Sequence, residues 1–425
     1  MADLGKTASI PLLEPERTSG TASTVQTIAN ILVSIVGTGV LGLPFAFRIA
    51  GWLAGSLGVV IAGISTYYCM LLLVKCRDKF ASEEGDSTDR KTYGDLGYEC
   101  FGTTGRFITE SLIFMAQCGG SVAYLIFIGQ NLSSVFKAYN FSFASFILLL
   151  VPIEIGLSWI GSLSALSPFS IFADICNVLA MGIVVMEDIQ QALVGKFSFK
   201  DRTAITSNIG GLPFAGGMAV FCFEGFGMTL ALESSMRDKT TFPRLLAQVF
   251  TGITLVYVLF GFFGYMAYGD QTKDIVTLNL PQNWWAITVQ IGMCLGLVFT
   301  FPIMVHPMNE IIEGTLMKNN WFKIDNNNGY SYSTTRLGKL GIYLSRAILV
   351  LGMAVLASCL PGFGQFASLV GSTVCALISF VLPAIFHLKI CGSSLNLWEK
   401  ALDYFIFSFG VVFAIYGTYN AIVGV

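Results

Sequence analysis

The sequence predicts an all-α membrane fold of eleven transmembrane helices, an inverted 5+5 helix repeat plus one, with helices 1 and 6 broken. Three observations carry this reading. Hydrophobic residues fill 54% of the 425 positions and charged residues only 12%, with a mean hydropathy of +0.70; a water-soluble domain carries roughly 25% charged residues. The apolar residues fall in runs of about 20, the length a helix needs to cross ~30 Å of hydrocarbon. The first and sixth runs are interrupted by glycine-rich sequence, and a separation of five spans is the relation expected of corresponding members of two inverted repeats.

The runs cover 25–47, 51–75, 107–137, 142–160, 166–190, 212–233, 245–268, 285–308, 339–360, 364–388 and 401–423. The third is long enough to tilt strongly or to extend past the bilayer. Membrane barrels are excluded, because their strands are half as long and alternate in polarity. The loops are too short for a second domain, so 24–425 is one transmembrane unit behind a flexible tail at 1–23. That tail holds Asp3, Glu14 and Glu16 and no apolar core of signal-peptide type, which places the N-terminus in the cytosol. Most of the 24 Lys and Arg then fall on the cytosolic side, the exceptions being Arg48, Lys137, Lys196, Lys200, Arg202 and Lys273, as the positive-inside rule requires. An odd number of spans puts the C-terminus outside or in a lumen.

The net charge of −2 argues against a nucleic acid partner. The ten cysteines have no CxxC pair and no histidine at ligand spacing, which argues against a metal site and a disulfide framework. Asn131 and Asn140 fit the N-x-Ser/Thr glycosylation pattern close to the membrane.

Span 1 reads Gly37-Thr38-Gly39-Val40-Leu41-Gly42-Leu43-Pro44, and span 6 reads Gly216-Gly217 through Phe223-Glu224-Gly225-Phe226-Gly227. A continuous helix loses roughly 1 kcal/mol at each Gly and about 3 at an interior Pro relative to Ala. Close helix packing is the alternative use of such glycines. If the helices are unwound, the freed backbone groups must line a cavity or meet a ligand. Half-helix N-termini favour a carboxylate, and C-terminal ends favour an ammonium or a cation. A free amino acid carries both groups on one carbon.

Four stretches together are specific: Gly37-Thr38-Gly39-Val40-Leu41-Gly42-Leu43-Pro44-Phe45-Ala46; Thr92-Tyr93-Gly94-Asp95-Leu96-Gly97; Phe221-Cys222-Phe223-Glu224-Gly225-Phe226-Gly227 with Leu232-Glu233; and Phe299-Thr300-Phe301-Pro302-Ile303 with Pro307. They resemble the amino acid/auxin permease family over about residues 25–310, and hydropathy extends the match to the end. The segment Leu166-Ser167-Pro168-Phe169-Ser170-Ile171-Phe172-Ala173-Asp174 is similar to the plant branch of aromatic and neutral amino acid transporters and vacuolar neutral amino acid exporters. The resemblance implies a LeuT-like, APC-type fold, neutral and aromatic amino acid substrates with auxin-like indole acids in range, a vacuolar or plasma membrane address, and function as a monomer without a cofactor. It implies a substrate site at Gly37, Thr38, Gly39, Gly42, Phe223 and Gly225, with Thr300 facing the span 1 break and Tyr124 covering the substrate.

Glu224 and Asp174 are the deepest acids, and intramembrane acids are functional suspects. Either is a candidate to carry a coupling proton; a structural carboxyl bonded to helix ends is the competing role. Glu154, Glu187 and Asp188 are expected near the membrane faces and solvated. His306 and His387 are expected at helix ends as hydrogen-bonded interfacial groups. Sodium-coupled relatives carry an amide where this chain has Val33, with Asn30 and Ser34 nearby. Valine cannot coordinate a hard cation, which favours a proton gradient or uncoupled exchange over sodium. Leu12-Leu13 before Glu14 resembles a sorting signal, and 82–90 reads as a flexible polar loop. A channel or membrane receptor stays open as a different class, although no ring of charge or filter repeat is visible. An enzyme would need a paired constellation that the two histidines do not supply.

Overall fold

The computed structural model describes residues 22–84, 92–160, 163–195, 197, 199, 201–318 and 336–423. Among these residues the chain is helical apart from its connections and one isolated parallel bridge between Ala22 and Met236. The dileucine at 12–13 and most of the 82–90 loop lie outside the described residues.

Helix α1 (Thr24–Ile35) starts at a capping box, in which the Ser23 side chain accepts from the Gln26 N–H and Gln26 answers to Ser23. It stops at Val36, whose backbone is extended, and a short 3₁₀ turn, Thr38–Gly42, leads into α2 (Leu43–Ala50). Pro44 falls in the first turn of α2, where its missing N–H has no partner to lose. The proline therefore starts a helix rather than kinking one. α1 with Ile35 at its end and the segment Thr38–Ala50 are bent by 46°. Gly51 (φ 93°) turns the chain into α3 (Trp52–Glu84), a backbone conformation that a side chain would strain.

α4 (Tyr93–Val135) holds non-helical Phe101 and Gly102. The apolar run begins at 107, with the stretch 92–97 ahead of it. A second capping box, Thr92 with Asp95, makes that stretch a helix of its own. α5 (Phe143–Ser158), α6 (Leu163–Leu193), α7 (Gly211–Cys222), α8 (Phe226–Ser235), α9 (Phe242–Tyr268), α10 (Trp284–Lys318), α11 (Arg336–Cys359), α12 (Phe363–Val370), α13 (Leu382–Ile390) and α14 (Leu397–Val423) follow. The chain between α12 and α13 winds as two π-helical segments, Gly371–Cys375 and Leu377–Val381. Among the described residues, eight helical stretches are long and apolar enough to cross a membrane, α7 with α8 (Gly211–Ser235) counted as one of them, and nine if the bent α1/α2 pair is added as one.

α7 lies at the centre, packed against α2, α3, α12, α14 and the first π segment. Glycines permit this. A Cβ on Gly217 would stand 2.5 Å from the Ser368 carbonyl oxygen, and one on Gly371 would strike the Gly217 carbonyl. α10 packs on α4, α5, α6 and α11, while α14 lies on the outside against α13 and the π segments.

Two sequence expectations are corrected here. Glu154, Glu187 and Asp188 are buried, not solvated, because α5 packs on α4 and α11, and α6 on α9 and α10. His306 is well inside α10, which continues to Lys318; its Nδ1 is 3.5 Å from Glu310 one turn on. Asn131 is buried and donates to the Phe127 carbonyl at 2.9 Å, so of the two N-x-Ser positions only Asn140 is exposed.

Candidate functional site

α1 ends at Ile35 and α7 ends at Cys222, and these two helix ends meet. Gly39 sits against Cys222: a Cβ built on it would be 3.1 Å from Cys222 Sγ and 3.4 Å from Phe221 Cδ1. Gly42 is pressed by Met218 Sδ and Phe363 Cε1, both 3.1 Å from its would-be Cβ. Gly225, opening α8, faces Ile35 Cγ1 at 3.2 Å. Gly37 differs, since a Cβ there meets nothing within 4 Å. None of the four has a positive φ, so close approach, not dihedral freedom, is what Gly39, Gly42 and Gly225 supply. Thr38 is buried beside them.

Between Cys222 and Phe226 the helical ladder loosens. The Phe223 N–H is shared between the carbonyls of Ala219 and Val220 at 3.2 Å each, and Gly225 is extended in φ. Tyr257 of α9 reaches this junction. Its buried hydroxyl is 3.2 Å from the Ile35 carbonyl and 3.2 Å from the Cys222 carbonyl. Phe223 is a packing residue as much as a lining one: its ring stacks on Phe250 and lies 5.1 Å from the Tyr257 ring. The Glu224 carboxyl lies against the Phe226 N–H at the start of α8, within electrostatic reach of Tyr93 and Cys375. A cavity of about 10 Å³ adjoins the junction, lined by Ser34, Ile35, Met70, Gly225 and Thr229 among others. That is room for one water, not for a bound molecule the size of an amino acid.

Tyr124, Asp174 and Thr300 belong to a second group, where α4, α6 and α10 pack. Tyr124 and Asp174 are within electrostatic reach of each other. The Thr300 hydroxyl donates to the Gly296 carbonyl at 2.9 Å, and Gly296 abuts Ala173 next to Asp174. The Thr300 proton is thus committed along its own helix.

Both faces of the junction are tied shut. On the face that carries Ala22, the Ala22 N–H donates to the Ser235 carbonyl at 3.1 Å, the Arg237 N–H donates to Ala22, and Arg77 of α3 pairs with Glu233 of α8. On the opposite face, Asp274 Oδ2 accepts from Gln130 Nε2 at 2.9 Å and from the Phe363 N–H at 3.1 Å, while Arg48 donates to the Thr272 carbonyl at 2.8 Å. Neighbouring Lys273 is held below the ordinary lysine range by burial and by Lys137, with Asp274 opposing.

Sequence reasoning missed Tyr257, Arg77, Asp274 and Gln130. Tyr257 and Gln130 read as ordinary polar residues in apolar spans, and Arg77 as loop charge. Glu233 was visible in the Leu232-Glu233 motif, but its partner lies 156 residues away.

A model of the family described as transmembrane amino acid transporter protein matches residues 20–423. The chain belongs to this family. It is a transporter of amino acids and not an enzyme. The transporter is 67% identical to amino acid transporter ANT1 of Arabidopsis thaliana, over 98% of this chain and 97% of that one. It is 36% identical to amino acid transporter AVT3C of the same plant, over 94% and 91%. Among solved structures it is similar to MhsT in complex with L-phenylalanine, with a TM-score of 0.54 and 13% identity over 95% of this transporter and 100% of that chain, a likeness of fold.

Proposed function

We propose that this transporter carries neutral and aromatic amino acids, with indole acids such as auxin in its range, by alternating access driven by a proton gradient. It works as a monomer in the vacuolar or plasma membrane, with its N-terminus cytosolic and its C-terminus outside or luminal. The reading takes α1 with α2, and α7 with α8, as one broken span each, and adds α5 and α6 to give eleven spans in an inverted 5+5 repeat plus one. The observation that supports it is the meeting of the two interrupted helices at Gly39 and Cys222, with closures on both faces. A site midway between two closures can open to either side in turn.

In this reading Gly37, Thr38, Gly39, Gly42, Phe223 and Gly225 contact the substrate. The open space beside Gly37 admits the ligand backbone, and the helix ends separate its charges. Tyr124 and Thr300 line the side-chain end. Glu224 is the first candidate for the coupling proton and Asp174 the second. Glu224 sits at the start of α8, so a change in its exposure between inward- and outward-facing forms changes its affinity for a proton.

Reconstitution into proteoliposomes tests this. Wild type is expected to accumulate neutral and aromatic amino acids under an imposed pH gradient and to accelerate label uptake when preloaded with unlabelled substrate. Glu224→Gln fixes the neutral form at nearly constant shape, and is expected to abolish gradient-driven accumulation while preserving exchange. Accumulation that remains fully gradient-dependent in that variant assigns Glu224 a structural role and moves the test to Asp174. Exchange that requires sodium overturns the proton reading.

A further inference from the structure

The carbonyls of Ile35 and Cys222 close the C-terminal ends of two different helices, α1 and α7. Each such end carries partial negative charge, and here the two converge in the buried interior. Such a place calls for a positive partner, an ammonium, a cation or a hydrogen-bond donor. The structure supplies the Tyr257 hydroxyl, 3.2 Å from both oxygens. The ring that carries it is fixed: it is fully buried, α9 packs on α1, α2 and the 3₁₀ turn, and Phe223 lies against it at 5.1 Å. One hydroxyl has one proton for two acceptors, so it bridges the pair and draws both carbonyls to one point.

We propose that Tyr257 is a positioning residue that holds the interruptions of the two helices in register by providing, from α9, the donor that their converging C-terminal ends require. The register sets where Gly39 faces Cys222, and therefore the shape of the substrate site. A protein donor at this point also takes the place that a bound metal cation would fill. The inference rests on the reading that the junction is the substrate site.

Tyr257→Phe keeps the ring and removes the donor. The experiment is counter-flow of labelled L-phenylalanine in proteoliposomes, in sodium-free choline medium. If wild type does not exchange phenylalanine, the amino acid it exchanges fastest among the twenty replaces it, so failure of the substrate reading shows in wild type and leaves the Tyr257 test intact. The expected result is a KM raised about ten-fold with Vmax within about two-fold of wild type, the signature of a displaced site rather than of less folded protein. Tyr257→His, which keeps a ring donor, is expected to recover part of the KM change. An unchanged KM in Tyr257→Phe, or a Vmax that falls only in step with folded yield, overturns the proposal. If the Phe variant does not fold, 3-fluorotyrosine placed at 257 alone keeps the shape and makes the hydroxyl a stronger donor. A KM shift of about two-fold or more is then expected, and no shift overturns it.

Discussion

Replacing Gly39 by valine is expected to abolish uptake while the protein still reaches the membrane. The first added carbon would lie 3.1 Å from Cys222 Sγ and 3.5 Å from Cys222 Cα, and the two methyls beyond it would push the 3₁₀ turn away from α7. Overpacking of this kind costs about 1–3 kcal/mol, and each ~1.4 kcal/mol is a factor of ten in the population of the closed state. The turn is held on its other side by Met218 and Phe363 at Gly42, so the strain has no easy outlet. Gly37→Ala is the control: its Cβ meets nothing within 4 Å, and folding should be unchanged. Uptake by membrane-delivered Gly39→Val at the wild-type rate would show that the contact with Cys222 is not needed for transport.

Asp403→Ala should cause the largest loss of stability among single substitutions of charged residues. His387 Nδ1 and Asp403 Oδ2 are 2.7 Å apart, with side chains 2% and 0% exposed, and they join α13 to α14. Tyr68 of α3 lies against the same carboxylate. Removing one member of a buried pair leaves the other without its partner and costs about 3–5 kcal/mol, a large share of the roughly 5–15 kcal/mol that holds a fold together. The thermal midpoint of purified protein should drop by many degrees, and a double replacement, His387→Leu with Asp403→Leu, should recover most of it. A single variant that melts with wild type would remove the pair from the account of how α14 is held. The sequence reading placed His387 at an interface; burial by α14 is what it did not foresee.

The apolar stretches were legible because their lengths are dictated by hydrocarbon, and the helix ends at Ile35 and Cys222 because glycine and proline are expensive in a continuous helix. The span expected at 212–233 and the pair α7 and α8 differ by only a residue or two at the outer ends. The sequence singles out Gly39 for its glycine-rich surroundings; the neighbour that presses on it, Cys222, comes from a distant segment and is visible only in the structure. The closures were not legible. Arg77 with Glu233, and Asp274 with Gln130 and Phe363, join segments far apart in the chain, and a single sequence carries no signal of which charge meets which. Tyr257 is one of 15 tyrosines, and only its position opposite two helix ends sets it apart. The helix at Tyr93 was within reach, because Thr92 and Asp95 carry the spacing of a capping box.

The burial of Cys222 gives the protein a built-in chemical reporter. Of the ten cysteines, all free, Cys359 alone is exposed, and the Cys222 thiol is sealed between the Gly39 turn and α7. Once Cys359 is replaced by serine, a small water-soluble maleimide has no fully exposed thiol to attack in the closed form. Alkylation at Cys222, read by mass spectrometry of the peptide that holds it, would then measure how often the junction opens. Applied from one side of the membrane at a time, the same reagent would time the two halves of the cycle in the native junction, without a fluorophore or an engineered residue in the site.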